Sequence, residues 1–105
     1  MAETTRHYRA KAKAAGAAGE TEVPLSRGRR LDALSATGRA TEIEHSGTKQ
    51  GLEAAARRLR DAPATQHVLQ VPQPDMPAAV GAMKAVGVSG TVKNLSGTRR
   101  RIVQS

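Results

Sequence analysis

Arg29-Arg30-Leu31-Asp32-Ala33-Leu34-Ser35, then Ala36-Thr37-Gly38, then Arg39-Ala40-Thr41-Glu42-Ile43-Glu44-His45-Ser46 reads as two short strands around a tight turn. The turn closes on glycine, the residue that most easily takes up a positive φ. With Thr37 at its centre, Leu34 faces Ala40, Asp32 faces Glu42 and Arg30 faces Glu44. Strand parity then gathers Asp32, Glu42 and Glu44 on one face and Leu31, Ala33, Thr41 and Ile43 on the other. The second set is apolar enough to pack against helices, so the acidic face is expected to open into a cleft. Two carboxylates directly opposite one another repel and weaken a hairpin. A cation between them removes that penalty, and oxygen donors of this kind suit Mg²⁺ or Mn²⁺ rather than zinc. The alternative is simple ion pairing, Glu44 with Arg30 across the strands and Asp32 with Arg29 or Arg39.

Outward from the hairpin the elements follow in order. Residues 4–19, rich in Ala, Lys and Arg, suit a helix that Gly16 and Gly19 weaken at its end. Glu20 to Leu25 either extends that helix or starts a strand, and Pro24 excludes a long uninterrupted helix. Downstream, Ser46-Gly47-Thr48 offers a cap, and Leu52, Ala55, Ala56 and Leu59 recur at i, i+3, i+4 and i+7. That helix ends near Asp61-Ala62-Pro63. His67 to Val71 is a short apolar strand stopped by Pro72, and Asp75 caps a further helix with Ala79, Met83 and Val86 on one face. Thr91–Leu95 and Arg99–Val103 form a second hairpin around Ser96-Gly97-Thr98. The predicted order is α-β-β-α-β-α-β-β, a mixed α/β fold with a small central sheet flanked by helices. Residues 1–105 read as one domain with its core at 10–103 and a flexible stretch at 1–9. No internal repeat, phosphate loop or dinucleotide fingerprint is present.

Composition narrows the chemistry. With no Phe, no Trp and one Tyr, the core must be built from Leu, Val, Ile, Met and Ala. Stability is expected at the low end of the roughly 5–15 kcal/mol usual for domains. The absence of cysteine excludes disulfides, thiolate zinc sites and cysteine nucleophiles. No apolar run approaches the ~20 residues that span a bilayer, and no signal-peptide pattern opens the chain, which points to the cytoplasm and to no membrane partner.

Seventeen basic residues stand against nine acidic ones, a net charge of +8. Such an excess favours polyanionic partners, nucleic acid first, an anionic membrane surface second and an acidic binding protein third. The charges cluster at Arg27–Arg30, Arg57–Arg60 and Arg99–Arg101, and clustering matters because phosphate contacts must track one backbone. Arg29, Arg30, Arg57, Arg58, Arg99, Arg100 and Arg101 are therefore the candidate phosphate contacts, although Arg57 is also spaced to pair with Glu53 at i, i+4. Only Tyr8 offers a base-stacking platform, so recognition would read backbone and shape. His45 alternates to the face opposite Glu44 and needs a bulge to act beside it. His67 opens an apolar strand and reads as structural or solvent-facing, and His7 has no assigned role.

The run Gly19-Glu20, Arg30-Leu31-Asp32 and Glu42-Ile43-Glu44, followed by a helix and an apolar strand, resembles the PD-(D/E)xK restriction-endonuclease-like superfamily over residues 10–72. Its small members look most similar, namely archaeal-type junction resolvases and the nuclease domains of bacterial polymorphic toxins. The resemblance implies an α-β-β-β-α-β core, for which only Thr21–Leu25 is available as the first strand. It implies a metal-dependent endonuclease that hydrolyses phosphodiester bonds in DNA, as a repair enzyme or a toxin. Glu20 would be the helix carboxylate, and Asp32 and Glu42 the ligands of a catalytic Mg²⁺ or Mn²⁺. Glu44 stands where the family carries lysine, and an ionised carboxylate there neither donates a proton nor offsets negative charge. Glu44 or Glu20 would then complete the metal shell through water, and Lys49, opening the next helix, is the candidate for a migrated lysine that assists the attacking water. A homodimer is expected, since so small a domain covers little DNA. Three rival readings stand beside this one. They are a metal-independent ribonuclease using His45 or His67, a non-catalytic nucleic-acid-binding module, and an accessory protein whose basic surface meets an acidic inhibitor or immunity partner.

Overall fold

A computed structural model describes residues 5–105. In chain order the elements are α1 (Thr5–Ala15), β1 (Glu20–Pro24), β2 (Arg30–Leu34), β3 (Arg39–Ile43), α2 (Lys49–Asp61), β4 (Gln66–Val71), α3 (Met76–Val86), β5 (Gly90–Asn94) and β6 (Arg100–Val103). Short 3₁₀ turns at Ser26–Gly28 and Gln73–Asp75 link β1 to β2 and β4 to α3. The strands form one six-stranded sheet in the order β1-β2-β3-β4-β5-β6. β3, β4 and β5 run parallel, and the outer pairings are antiparallel. The fold is thus mixed α/β, as composition and patterning predict. No helix among the described residues is long and apolar enough to cross a membrane.

Local sequence explains most elements. The first hairpin takes the predicted register, Leu34 opposite Ala40 and Ala33 opposite Thr41, and Gly38 supplies the positive φ of 88°. Leu52, Ala55, Ala56 and Leu59 all bury along α2, whose Thr48 cap accepts from the Gly51 N–H. Ala79 and Met83 bury along α3, joined by Met76 and Ala82 while Val86 stays half-buried. The two crossover helices α2 and α3 pack together on one face of the sheet. Between them and the strands lies the core, built on Leu31, Ala40, Leu69, Val71 and Val92. Helix α1 covers β1, β2 and β3 on the other face.

Two features depart from the expected pattern. The first is β1: the predicted order has one strand fewer, whereas Glu20–Pro24 pairs along β2 from Glu20 opposite Leu34 to Pro24 opposite Arg30. Only Val23 of this strand is buried, so it carries almost no alternation to read, and its edge position tolerates Pro24. Helix α1 ends at Ala15, closed by Gly16 at φ 75°, and it includes Thr5–Arg9 within the stretch expected to be flexible. Glu20 is therefore an exposed edge-strand residue and not a helix carboxylate.

The second departure is a break in strand parity. Leu31 and Leu34 both pack against the core under α2 and α3, which strict alternation forbids for residues three apart. The break sits at Asp32, where side chains replace the backbone ladder. The Asp32 N–H donates to Glu42 Oε2 at 2.7 Å, and the Ile43 N–H donates to Asp32 Oδ2 at 2.8 Å. Opposite, in β1, Glu22 adopts φ 54°, a left-handed conformation uncommon outside glycine.

Candidate functional site

Asp32 and Glu42 meet in the seam where β2 and β3 part. Glu42 is only 2% exposed, and Arg58 reaches up from α2 to donate its Nε–H to Oε1 at 2.5 Å. The same guanidinium lies 4.0 Å from Glu44 Oε2. Asp32 is held from the other side of the sheet: His7 of α1 places Nε2 3.6 Å from Oδ1. Burial pushes both carboxyl groups above their ordinary range. Glu42 rises to about 7, by burial first and then by the charge of Asp32, with Arg58 pulling the other way. For Asp32 burial also dominates, opposed by the hydrogen bond from Ile43 and the charges of His7, Lys11 and Arg58.

Helix α1 adds a polar cluster beside this seam. Lys11, 2% exposed, is bonded to Glu22, which stands opposite Asp32 in β1. His7 Nδ1 lies 3.0 Å from His45 Nε2, the rings meeting edge to face at 62°. One of the facing nitrogens must carry the proton and the other the lone pair. Burial, then the charge of His7, lowers the pKa of His45.

The parity break corrects the expected open acidic face. Asp32 answers to α1 and Glu42 to α2, so the carboxylates converge in a buried seam rather than lining a cleft. Glu44 lies just beyond β3, half-buried, with its carboxylate beside Gly51 at the start of α2. Lys49 does not join them: exposed in the first turn of α2, it lines the shallow groove between α2 and α3 with Gly81 and Ala82. Nor does Glu20, which stands opposite Leu34 at the far end of β2. Among the described residues no three His, Asp or Glu side chains converge closely enough to hold a metal ion.

Several expected phosphate contacts are committed within the fold. Arg58 holds Glu42, Arg29 pairs with Asp61 at 2.7 Å, and Arg57 lies 3.6 Å from Glu53. The expected pairing of Asp32 with Arg29 or Arg39 does not form, since Arg39 bonds the neutral Gln66. Arg100 stands opposite Lys93 and Arg101 opposite Val92, so the two arginines point to different faces of the sheet. The sequence gives no sign of Arg58 as the partner of Glu42, nor of His7 and Lys11 as neighbours of the seam, because each contact joins elements far apart in the chain. The one available signal is the lone lysine on the inward side of α1. No family model, no curated protein and no solved structure matches this chain.

Proposed function

We propose that this protein is a metal-dependent nuclease that hydrolyses phosphodiester bonds in DNA, with Asp32 and Glu42 as the ligands of Mg²⁺ or Mn²⁺. The observation that carries the reading is the acidic seam. In a chain of net charge +8, two carboxylates are desolvated side by side, and their mutual repulsion helps to raise Glu42 to about 7. Such pairs cost stability, and they cluster where a cation or a proton has to be managed. Further support comes from the run α1-β1-β2-β3-α2-β4, which has the α-β-β-β-α-β order implied by the PD-(D/E)xK resemblance, with Asp32 and Glu42 on its second and third strands.

The donor chemistry fits. Mg²⁺ binds through one or two carboxylates and keeps water and substrate oxygens for the rest. When bound, the ion would polarise a phosphoryl oxygen and lower the pKa of its water. The chain's own groups do the remainder. Arg58 neutralises Glu42 and must leave Oε1 to free it as a ligand, and Glu44 lies close enough to receive that guanidinium. His7 and His45 hold a proton between them beside Asp32 Oδ1, within reach of the seam.

One observation favours a second reading, non-catalytic nucleic-acid binding: Arg58 and the backbone amides of Asp32 and Ile43 already satisfy three oxygens of the pair. The test is cleavage of plasmid DNA and of mixed RNA with Mg²⁺ or Mn²⁺ against EDTA, with Asp32→Ala and Glu42→Ala alongside. Metal-dependent cutting lost in both variants supports the nuclease. Cutting that survives EDTA moves the assignment to a histidine ribonuclease, and salt-sensitive binding without cutting moves it to the binding module.

A further inference from the structure

A cluster of cations without carboxylate partners among the described residues lies away from the acidic seam. Helix α1 packs mainly on β1–β3, and among the described residues no other helix covers that face over β4–β6. A cleft of about 560 Å³ opens there, with Arg39, Lys93 and Arg100 in its wall and Ile102, 69% exposed, at its rim. Through Arg39 and Lys93 it continues into a hollow of about 170 Å³ beneath α1, where Lys13 enters. Through Ala10, Leu95 and Ser96 it runs on to Arg6 and His45. His45 bonds His7, which adjoins Asp32, so this groove leads from one end of the sheet to the edge of the acidic seam.

Its charge has no counterpart among the described residues. Lys93 is partly buried, and its pKa is lowered first by that burial and then by Arg100, Arg39 and Lys13. None of these four cations is ion-paired to a carboxylate among the described residues, and Arg39 bonds only the neutral Gln66. Clustered like charges destabilise the folded chain and concentrate counter-ions. The polyanion that answers them has one backbone, not two. Lys13, Arg39 and Arg100 gather around the single amine of Lys93, whereas a duplex sets its backbones on either side of grooves about 6 and 12 Å wide.

We propose that the groove running beside α1, walled by Lys13, Arg39, Lys93 and Arg100, binds the phosphate backbone of a single-stranded nucleic acid and leads it toward the Asp32–Glu42 seam. The proposal rests on nucleic acid being the substrate class, as in the reading above, but not on metal chemistry. With no Phe or Trp in the chain, the groove reads backbone rather than stacked bases, and Ile102 gives the bases only an apolar rim.

The experiment is anisotropy binding of a fluorescent twelve-nucleotide single strand across a salt series in EDTA. Each neutralised phosphate contributes about −0.7 to the slope of log K against log salt, so four contacts give about −2.8. Lys93→Gln should reduce the slope by about 0.7, and the double variant Lys93→Gln/Arg100→Gln by about 1.4, with circular dichroism unchanged. Lys84→Gln, on helix α3 across the sheet from the groove, should leave the slope as it is. An unaltered slope in the double variant, or tighter binding of a duplex of the same length, overturns the proposal. A groove that binds in a protein that never cuts refutes the nuclease alone, and a cutting protein whose slope ignores Lys93 and Arg100 refutes the groove alone.

Discussion

Replacing Asp32 by asparagine should make the protein more stable at pH 8 while abolishing metal-dependent cleavage. Asparagine keeps an oxygen for the Ile43 N–H and turns an amide toward His7 Nε2, 3.6 Å from the present oxygen, so the fold need not rearrange. What it removes is a negative charge beside buried Glu42. The rise of Glu42 from 4.5 to about 7 corresponds to about 3 kcal/mol at 1.36 kcal/mol per unit. Burial is the larger cause and Asp32 the second, so relieving the repulsion should return about 1 kcal/mol, net of the attraction to Lys11 and Arg58 that is forfeited. The sign follows from linkage. A carboxyl group whose pKa is raised on folding stabilises the native state fully below its unfolded value, here near 4.5, and loses that contribution as pH rises through about 7. Wild-type stability should therefore decline between pH 5 and pH 8, and the variant should decline less. Asp61, lowered by its hydrogen bonds from Arg60 and Arg29, acts only as pH falls through the ordinary 3.8 and below, outside this window, whereas His45, lowered first by burial, adds stability as pH rises toward its ordinary 6.5 in both proteins, so the difference between the two curves reports the seam. Urea unfolding followed by circular dichroism at pH 5, 6, 7 and 8 measures both curves. An asparagine variant less stable than wild type at pH 8, or one whose stability changes with pH as the wild type's does, would show that the seam is a stabilising structural pair.

Three further outcomes follow from the same geometry. Arg58→Met should cost about 3–5 kcal/mol at pH 8, because it strands the Glu42 carboxylate, and clearly less at pH 5, as read from unfolding midpoints. Mg²⁺ at ten times its dissociation constant should add about 1.4 kcal/mol to wild-type stability and nothing to Asp32→Asn, measured as a melting-temperature shift against MgCl₂. Gly38→Ala should cost about 1–2 kcal/mol, since φ 88° disfavours any side chain and the new Cβ would sit 3.1 Å from Thr65 Oγ1; chemical denaturation should show this loss with cleavage intact.

What could be read from the sequence was local. The hairpin register, the stripe of α2, the short β4 and the second hairpin each depend on residues a few positions apart, and each forms. β1 was nearly invisible because an edge strand that buries only Val23 has no periodicity to offer. The adjacency of Asp32 and Glu42 was legible, but the buried seam was not. It depends on Glu22 turning left-handed in a strand whose neighbour then shifts parity, and no residue type announces that. Arg58 reads as a phosphate contact in the sequence because its spacing beside the apolar stripe is the same whether it meets solvent or a carboxylate from β3. The groove was hidden for the opposite reason: Lys13, Arg39 and Lys93 are isolated in the chain, and only the sheet brings them beside Arg100.

The sequential strand order has a consequence for self-association. A sheet built this way is never closed, and β1 and β6 each present a free row of backbone donors and acceptors. The two rims carry opposite signs, Glu20 on one and Arg100 and Arg101 on the other, so a β6 rim attracts the β1 rim of another copy while repelling its own kind. Contacts of that head-to-tail kind do not close on themselves and propagate as filaments. Pro24, which lacks an N–H, and the left-handed kink at Glu22 spoil the acidic rim as a template, and they leave the arginine rim free to stay in water.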